Sequence, residues 1–223
     1  MNTDNRQLIP NMFEAAYKAV SKEIPSGLTD QLEDVLLLEG GFLNQVKTLD
    51  SICKTNHIES NINEMLFDIL LFNFFSMNGD KLDESYFESA EWNRIEEATI
   101  DRGTELMNLL LYLQECSDID IPYSLDDYLD EYLVADEDFN QEDYEVYEPI
   151  IKNREILDKP DEATLIEVCK KNADTPLDEQ LLPILLFFGS HFSNEKKFNI
   201  IASNGSDPAF QSAFLAVLIN FTS

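Results

Sequence analysis

Asn61-Ile62-Asn63-Glu64-Met65-Leu66-Phe67-Asp68-Ile69-Leu70-Leu71-Phe72-Asn73-Phe74-Phe75-Ser76-Met77 is the stretch that decides the fold. Its apolar residues run from Ile62 through Met65–Phe67 and Ile69–Phe72 to Phe74 and Phe75, so they surround a helix almost completely. A helix that is apolar on most of its circumference is central, with neighbours on most sides. Asn78-Gly79-Asp80 then reads as a turn.

The flanking segments supply those neighbours. Phe13, Ala16, Tyr17, Val20 and Ile24 recur at three- and four-residue steps and predict a helix over 11–24, ended by Pro25-Ser26-Gly27. Thr29 caps a second helix with Leu32, Val35 and Leu36, which Gly40-Gly41 stops. A third carries Phe42, Val46, Leu49, Ile52 and Cys53. One long helix or a broken pair covers 85–116, interrupted near Gly103, with Leu106, Leu109, Leu110 and Leu113 as its clearest face. In the last third, a cap followed by proline or acids recurs at Pro160-Asp161-Glu162, Thr175-Pro176 and Ser206-Asp207-Pro208. Pro183 kinks the second of these helices or shares its first turns. Two-residue alternation is almost absent, so no strand is expected. The expectation is a single all-α domain over 1–223, a multi-helix bundle or short α-solenoid of about 9–11 helices.

Two segments resemble each other. Thr48-Leu49-Asp50-Ser51-Ile52-Cys53-Lys54-Thr55-Asn56 and Thr164-Leu165-Ile166-Glu167-Val168-Cys169-Lys170-Lys171-Asn172 share five of nine residues at an offset of 116. In the same register Leu66, Leu70 and Phe72 fall on Leu182, Leu186 and Phe188. Duplication accounts for this, with pseudo-repeat halves 1–102 and 152–223 joined by an acidic helical segment, 103–151. Chance likeness between helices rich in Leu and Phe accounts for it equally.

The charge is extreme. The 223 residues carry 44 acids against 15 bases, a net −29, yet 44% are hydrophobic, 15 are Phe and 8 are Tyr. So much core material is incompatible with full disorder. The only basic doublets, Lys170-Lys171 and Lys196-Lys197, do not make the patch that nucleic acid or an anionic membrane needs. No apolar run reaches membrane-spanning length, the start of the chain has no signal pattern, and three widely spaced cysteines make no disulfide framework. These features predict a cytoplasmic protein with buried free thiols.

The acids concentrate between Gly103 and Ile151, where there are fifteen and no Lys or Arg. Ser124 can cap a helix there with Leu125, Tyr128, Leu129, Tyr132 and Leu133 on one face and Asp126, Asp127, Asp130 and Glu131 on the other. A loop follows over 135–143, and Tyr144, Tyr147 and Ile151 resume the helical period.

Asp126-Asp127-Tyr128-Leu129-Asp130 resembles the DDxxD motif of prenyl-diphosphate and terpene synthases, in which carboxylates one turn apart hold Mg²⁺. The likeness ends with those five residues, since no second metal motif or diphosphate-binding base lies near. Glu88-x-x-Glu91 with Glu115-x-x-Asp118 resembles the carboxylate pairs of MazG-type pyrophosphohydrolases, with Arg94 and Arg102 as the local bases. Asp136-x-Asp138-x-Asn140-x-Glu142 opens like an EF-hand loop, but has Gln141 where Gly is needed and Tyr147 where a bidentate Glu is needed. His57 and His191 stand outside any HExxH pattern, and no Cys-x-x-Cys is present, so no metal site or cofactor is expected.

The charge favours a non-enzymatic acidic binding protein that engages a basic protein partner, as immunity proteins and DNA mimics mask basic nucleases. The expected contact residues are Asp126, Asp127, Tyr128, Asp130, Glu131, Tyr132, Asp136, Asp138, Glu142 and Tyr144. The carboxylates would speed encounter and the tyrosines would anchor it. The alternatives are a structural or self-associating helical protein, and a Mg-dependent all-α nucleotide pyrophosphohydrolase-like enzyme.

Overall fold

A computed structural model describes residues 5–79, 82, 84–130, 150–157, 160–173, 177–189 and 191–223. The regular elements among the described residues are all helical. After a 3-10 turn at Asn5–Gln7 come α1 (Leu8–Ala19), α2 (Leu28–Leu36), α3 (Phe42–Thr55), α4 (Ser60–Asn78), α5 (Glu84–Phe87), α6 (Ala90–Thr99) and α7 (Leu106–Asp118). They are followed by α8 (Leu125–Tyr128), α9 (Arg154–Leu157), α10 (Glu162–Lys171), α11 (Asp178–Phe188), α12 (Asn194–Asn204) and α13 (Pro208–Phe221). Among the described residues no helix is long and apolar enough to cross a membrane. The helices fall into two compact units. The first gathers Ile24–Met107 with the segment ending at Pro10, and the second gathers Asn11–Glu23 with Asn108–Ser223.

In the first unit α4 is the core element. Met65 to Leu70 are buried without interruption, which requires cover on every side. One of those residues is Asp68, only 1% exposed. A buried carboxyl needs hydrogen bonds, and Asp68 finds them where the chain breaks before α7. Its Oδ2 accepts from the Thr104 N–H at 2.9 Å and from the Thr104 hydroxyl at 2.5 Å. One turn earlier, Glu64 accepts from the Gly103 N–H at 3.0 Å and from the Arg102 guanidinium in a two-pronged contact at 3.2 Å. Arg102 also reaches Asp50 of α3 at 3.1 Å and lies 4.6 Å above the Phe67 ring. The break expected near Gly103 is therefore there, and two carboxylates of α4 hold it. Glycine is required at the point of closest approach: φ is +107° at Gly103, and a Cβ would stand 2.7 Å from Asp68 Oδ1.

The second unit is built on α11 and α13, with α10 and α12 packed against them. Leu181–Phe187 and Phe210–Leu218 are again buried without interruption. Pro183 lies inside α11. It has no N–H, so the Glu179 carbonyl four residues back loses the usual donor of an α-helix. Gln211, buried on α13, supplies one: its Nε2 donates to the Glu179 carbonyl at 3.0 Å. The expected helix openings at Asp161 and Asp207 are present, each side chain capping the N–H three residues on. Thr175 and Pro176 lie outside the described residues.

The first helix differs from the sequence expectation at both ends, the 85–116 stretch is broken a second time between α5 and α6, and α12 was not anticipated. The first helix begins earlier, burying Leu8 and Ile9, and ends at Ala19, so Val20 is exposed. α1, α3 and α7 close in the same way. The residues Ser21, His57 and Asp120 adopt φ of 53°, 54° and 56°, and the N–H after each returns to a carbonyl five residues back, at 2.9 Å in every case. This is the Schellman closure without its usual glycine. α12 is capped by Ser193 and buries Lys197, whose ammonium donates to the Phe187 carbonyl at 3.1 Å in the last turn of α11. Burial pushes the Lys197 pKa down.

The two similar segments adopt similar local structure, one in each unit. Leu49 and Leu165 are buried, and Asn56 and Asn172 each cap a helix end and donate to the carbonyl four residues back. Leu66, Leu70, Leu182 and Leu186 are all buried. The cysteines are free thiols. Cys53 and Cys116 are buried and Cys169 half-buried, and burial pushes Cys53 and Cys169 up to about 12.

Burial also raises the Asp68 carboxyl well above its ordinary value, against the pull of the Thr104 bonds. The folded chain then keeps this proton to a higher pH than the unfolded chain, in which Asp titrates near about 3.9. The Asp68 contribution is full below that value and is lost as pH rises through the folded one. Urea midpoints from pH 4 upward should therefore fall for the native chain relative to Asp68→Asn, which has no proton to lose. A second expectation concerns the proline repair. Gln211→Leu should cost about 1–3 kcal/mol in a Pro183 background and much less in a Pro183→Ala background, where the helix supplies its own donor. Additive losses in a denaturation cycle would show that the two residues are uncoupled.

Candidate interaction surface

The acidic window enters the described structure along α7, crosses a short loop at 119–124 and turns into α8. Tyr112 of α7 organises the turn. Its phenol oxygen accepts from the Ser124 N–H at 2.9 Å and stands 2.9 Å from Asp127 Oδ2 and 3.1 Å from the Ser124 carbonyl, either of which can take its proton. Burial pushes the Tyr112 phenol upward, so it keeps that proton. Ser124 caps α8 as the sequence predicts, its hydroxyl accepting from the Asp127 N–H at 3.1 Å.

The expected two-faced helix is present over the part that is described. Tyr128 and Leu129 are fully buried, whereas Asp126 and Asp130 are exposed. Tyr128 lies against Tyr112 at 5.2 Å and stacks on Phe188 at 5.9 Å between centroids. It is thus a core ring with no surface to offer a partner. Asp126 and Asp130, one turn apart, converge on Arg154 of α9. The guanidinium meets Asp130 with two nitrogens at 2.8 and 2.9 Å and Asp126 with Nε at 3.0 Å. Its hydrogen bonds hold the Asp130 carboxyl below the ordinary range. Every carboxylate of the DDxxD motif is thereby held by a group of this chain, Asp127 by Tyr112 and the other two by Arg154. Glu131, Tyr132, Asp136, Asp138, Glu142 and Tyr144 lie outside the described residues.

The pyrophosphohydrolase-like carboxylates divide between the two units, Glu88 and Glu91 in the first and Glu115 and Asp118 in the second. The bases that would serve them are engaged. Arg94 donates to the Ala90 carbonyl of its own helix, and Arg102 is locked between Asp50 and Glu64.

Of one further feature the sequence reading took only Tyr123, as one of the tyrosines suited to docking, and missed its apolar neighbours. The loop between α7 and α8 exposes Ile119, Ile121 and Tyr123, at 61%, 38% and 42% of their surface. Asp118 and Asp120 stand between and beside them, also exposed. Tyr123 stacks on Phe187 at 5.2 Å, with ring planes 16° apart, and meets Phe188 edge-on at 6.5 Å, so the ring is fixed in place and only partly open. The alternation Ile-Asp-Ile-Pro-Tyr was the available signal. It lies between two helices and follows no helical period, so a search for faces passes over it.

No protein-family model matches the chain, and no curated protein or solved structure matches it either.

Chemically, this surface combines exposed apolar side chains with neighbouring carboxylates, and the buried Tyr112 side chain organises the turn beside it. Tyr112→Phe should leave the Ser124 N–H and the Asp127 carboxylate without that partner. The expected cost is about 1–2 kcal/mol in urea denaturation, with faster amide exchange confined to 123–130. An unchanged exchange pattern would remove Tyr112 as the organiser.

Proposed function

We propose that this chain is a non-enzymatic binding protein that engages a basic protein partner through the acidic segment beginning at α7. The supporting observation is the exposed Ile119, Ile121 and Tyr123 set inside a sequence window with no Lys or Arg. Interfaces draw their affinity from a few apolar or aromatic anchors, and charge around the anchors speeds and selects encounter. A second copy of this chain is a poor occupant, because two strongly negative surfaces repel. A partner with Lys and Arg around an apolar recess answers both features.

The test uses the partner captured at low salt. Affinity is expected to fall steeply with ionic strength, and to weaken when Asp126, Asp127, Asp130 and Glu131 become Asn and Gln. Ile121→Asp should weaken it by about tenfold or more at constant salt. Arg154→Gln frees two carboxylates and should raise the association rate. Binding that ignores all these changes would sink the reading. Light scattering at low and high salt tests the self-associating alternative, and turnover of a nucleotide panel with Mg²⁺, lost on Glu91→Gln, tests the enzymatic one.

A further inference from the structure

In the first unit the aromatic side chains at the end of α4 continue outward into α5 and α6. Phe74 meets Tyr86 at 6.5 Å and Phe75 meets Trp92 at 6.0 Å between ring centroids. Tyr86, Phe87 and Trp92 then touch one another in every pairing, at 6.0, 6.1 and 5.0 Å, with planes inclined by 77°, 56° and 90°. The rings brace one another, but they are not sealed off from water. Phe87 keeps 39% of its surface exposed, and Phe75, Tyr86 and Trp92 are half-buried. Met77, three residues beyond Phe74 on the same helix, is 71% exposed. Single apolar side chains on a surface need no explanation, whereas a contiguous group of large rings marks a place of interaction.

The charge around these rings says what would cover them. Residues 85–101 hold five acids and one base. Glu88 follows Phe87 and Glu91 precedes Trp92; both are exposed, and neither forms an ion pair among the described residues. Burial and then the Glu91 charge push the Tyr86 phenol above its ordinary pKa, so this carboxylate acts on the ring cluster itself. The one base, Arg94, folds back onto the Ala90 carbonyl of its own helix. Aromatic faces bordered by carboxylates attract a cation twice, through the ring quadrupole and through charge. Among protein cations the guanidinium suits them best, because it is planar, stacks on rings and is more weakly hydrated than an ammonium. The same unit already contains one such contact, Arg102 at 4.6 Å above Phe67. A second copy of this chain would bring a net −29 toward these acids and be repelled. We propose that Tyr86, Phe87 and Trp92 form a docking surface for an arginine-bearing segment of a partner protein, with Glu88 and Glu91 facing the guanidinium charge. This surface stands on the first unit alone and is independent of the 119–123 loop.

Trp92 is the only tryptophan of the chain, so its emission reports this surface and not the charge of the whole molecule. The test titrates the full chain with an end-blocked peptide of alternating Gly and Arg, and with counterparts in which Lys or uncharged citrulline replaces Arg. Saturable change in Trp92 emission is expected for the Arg peptide, with a Kd below about 1 mM. The Lys peptide should bind about threefold more weakly and the citrulline peptide about tenfold more weakly. Phe87→Leu keeps the charge and an apolar side chain but removes a ring, and should weaken the Arg peptide about fivefold; Phe87→Ala should weaken it about tenfold. Glu88→Gln combined with Glu91→Gln should weaken it and flatten its dependence on salt. Three results would overturn the surface: no saturable change in Trp92 emission, equal affinity for the Arg and citrulline or Arg and Lys peptides, or unaltered binding by Phe87→Leu in a protein that folds normally.

Discussion

A break in a backbone that runs beside a core helix leaves amide and carbonyl groups without their helical partners, and side chains of that helix can supply them. An open amide or carbonyl that is shielded from water is expensive. Both units of this chain meet that constraint in the same way. In the first, the open N–H groups of Gly103 and Thr104 fall to Glu64 and Asp68 of α4. In the second, the carbonyl left open by Pro183 falls to Gln211 of α13. These polar residues lie in the most apolar helices of the protein. There they fix where neighbouring segments can lie, which uniform apolar packing would leave less defined.

The acid excess divides along the same line. Asp50, Glu64 and Asp68 work inside the first unit, and Asp126, Asp127 and Asp130 hold Arg154 and Tyr112 in the second. These carboxylates are structural, and their number reduces how much of the net charge faces outward unanswered. Around the 119–123 loop the charge is organised differently, alternating with apolar side chains that stay partly exposed.

Much of the fold was legible. The near-continuous apolar surface of α4, the cap at Ser124, the helix openings at Asp161 and Asp207 and the break near Gly103 all follow from local rules. The rest depended on residues far apart in sequence. Nothing near Pro183 indicates that Gln211 will serve it, and nothing near Asp126 indicates that Arg154 will close on it. The ends of α1, α3 and α7 were obscure because Ser21, His57 and Asp120 occupy positions where glycine is the usual sign. α12 was passed over because its buried face is short and includes Lys197. Of the expected contact residues, Asp126, Asp127, Tyr128 and Asp130 could be placed. Tyr128 shows the limit of residue type as a guide, because an aromatic ring in an acidic segment is equally suited to a core.

Asp120 has one more effect, through the chain's freedom rather than its contacts. Its φ of 56° lies where glycine would be comfortable and most residues are not. Glycine there would let the following residues sample many directions. Aspartate narrows that range, and the stacking of Tyr123 on Phe187 narrows it again at the other end. Ile119, Ile121 and Tyr123 are therefore held in a restricted set of directions before anything arrives. Less conformational entropy remains to be surrendered on association, and that saving is available to any partner that fits the loop as it stands.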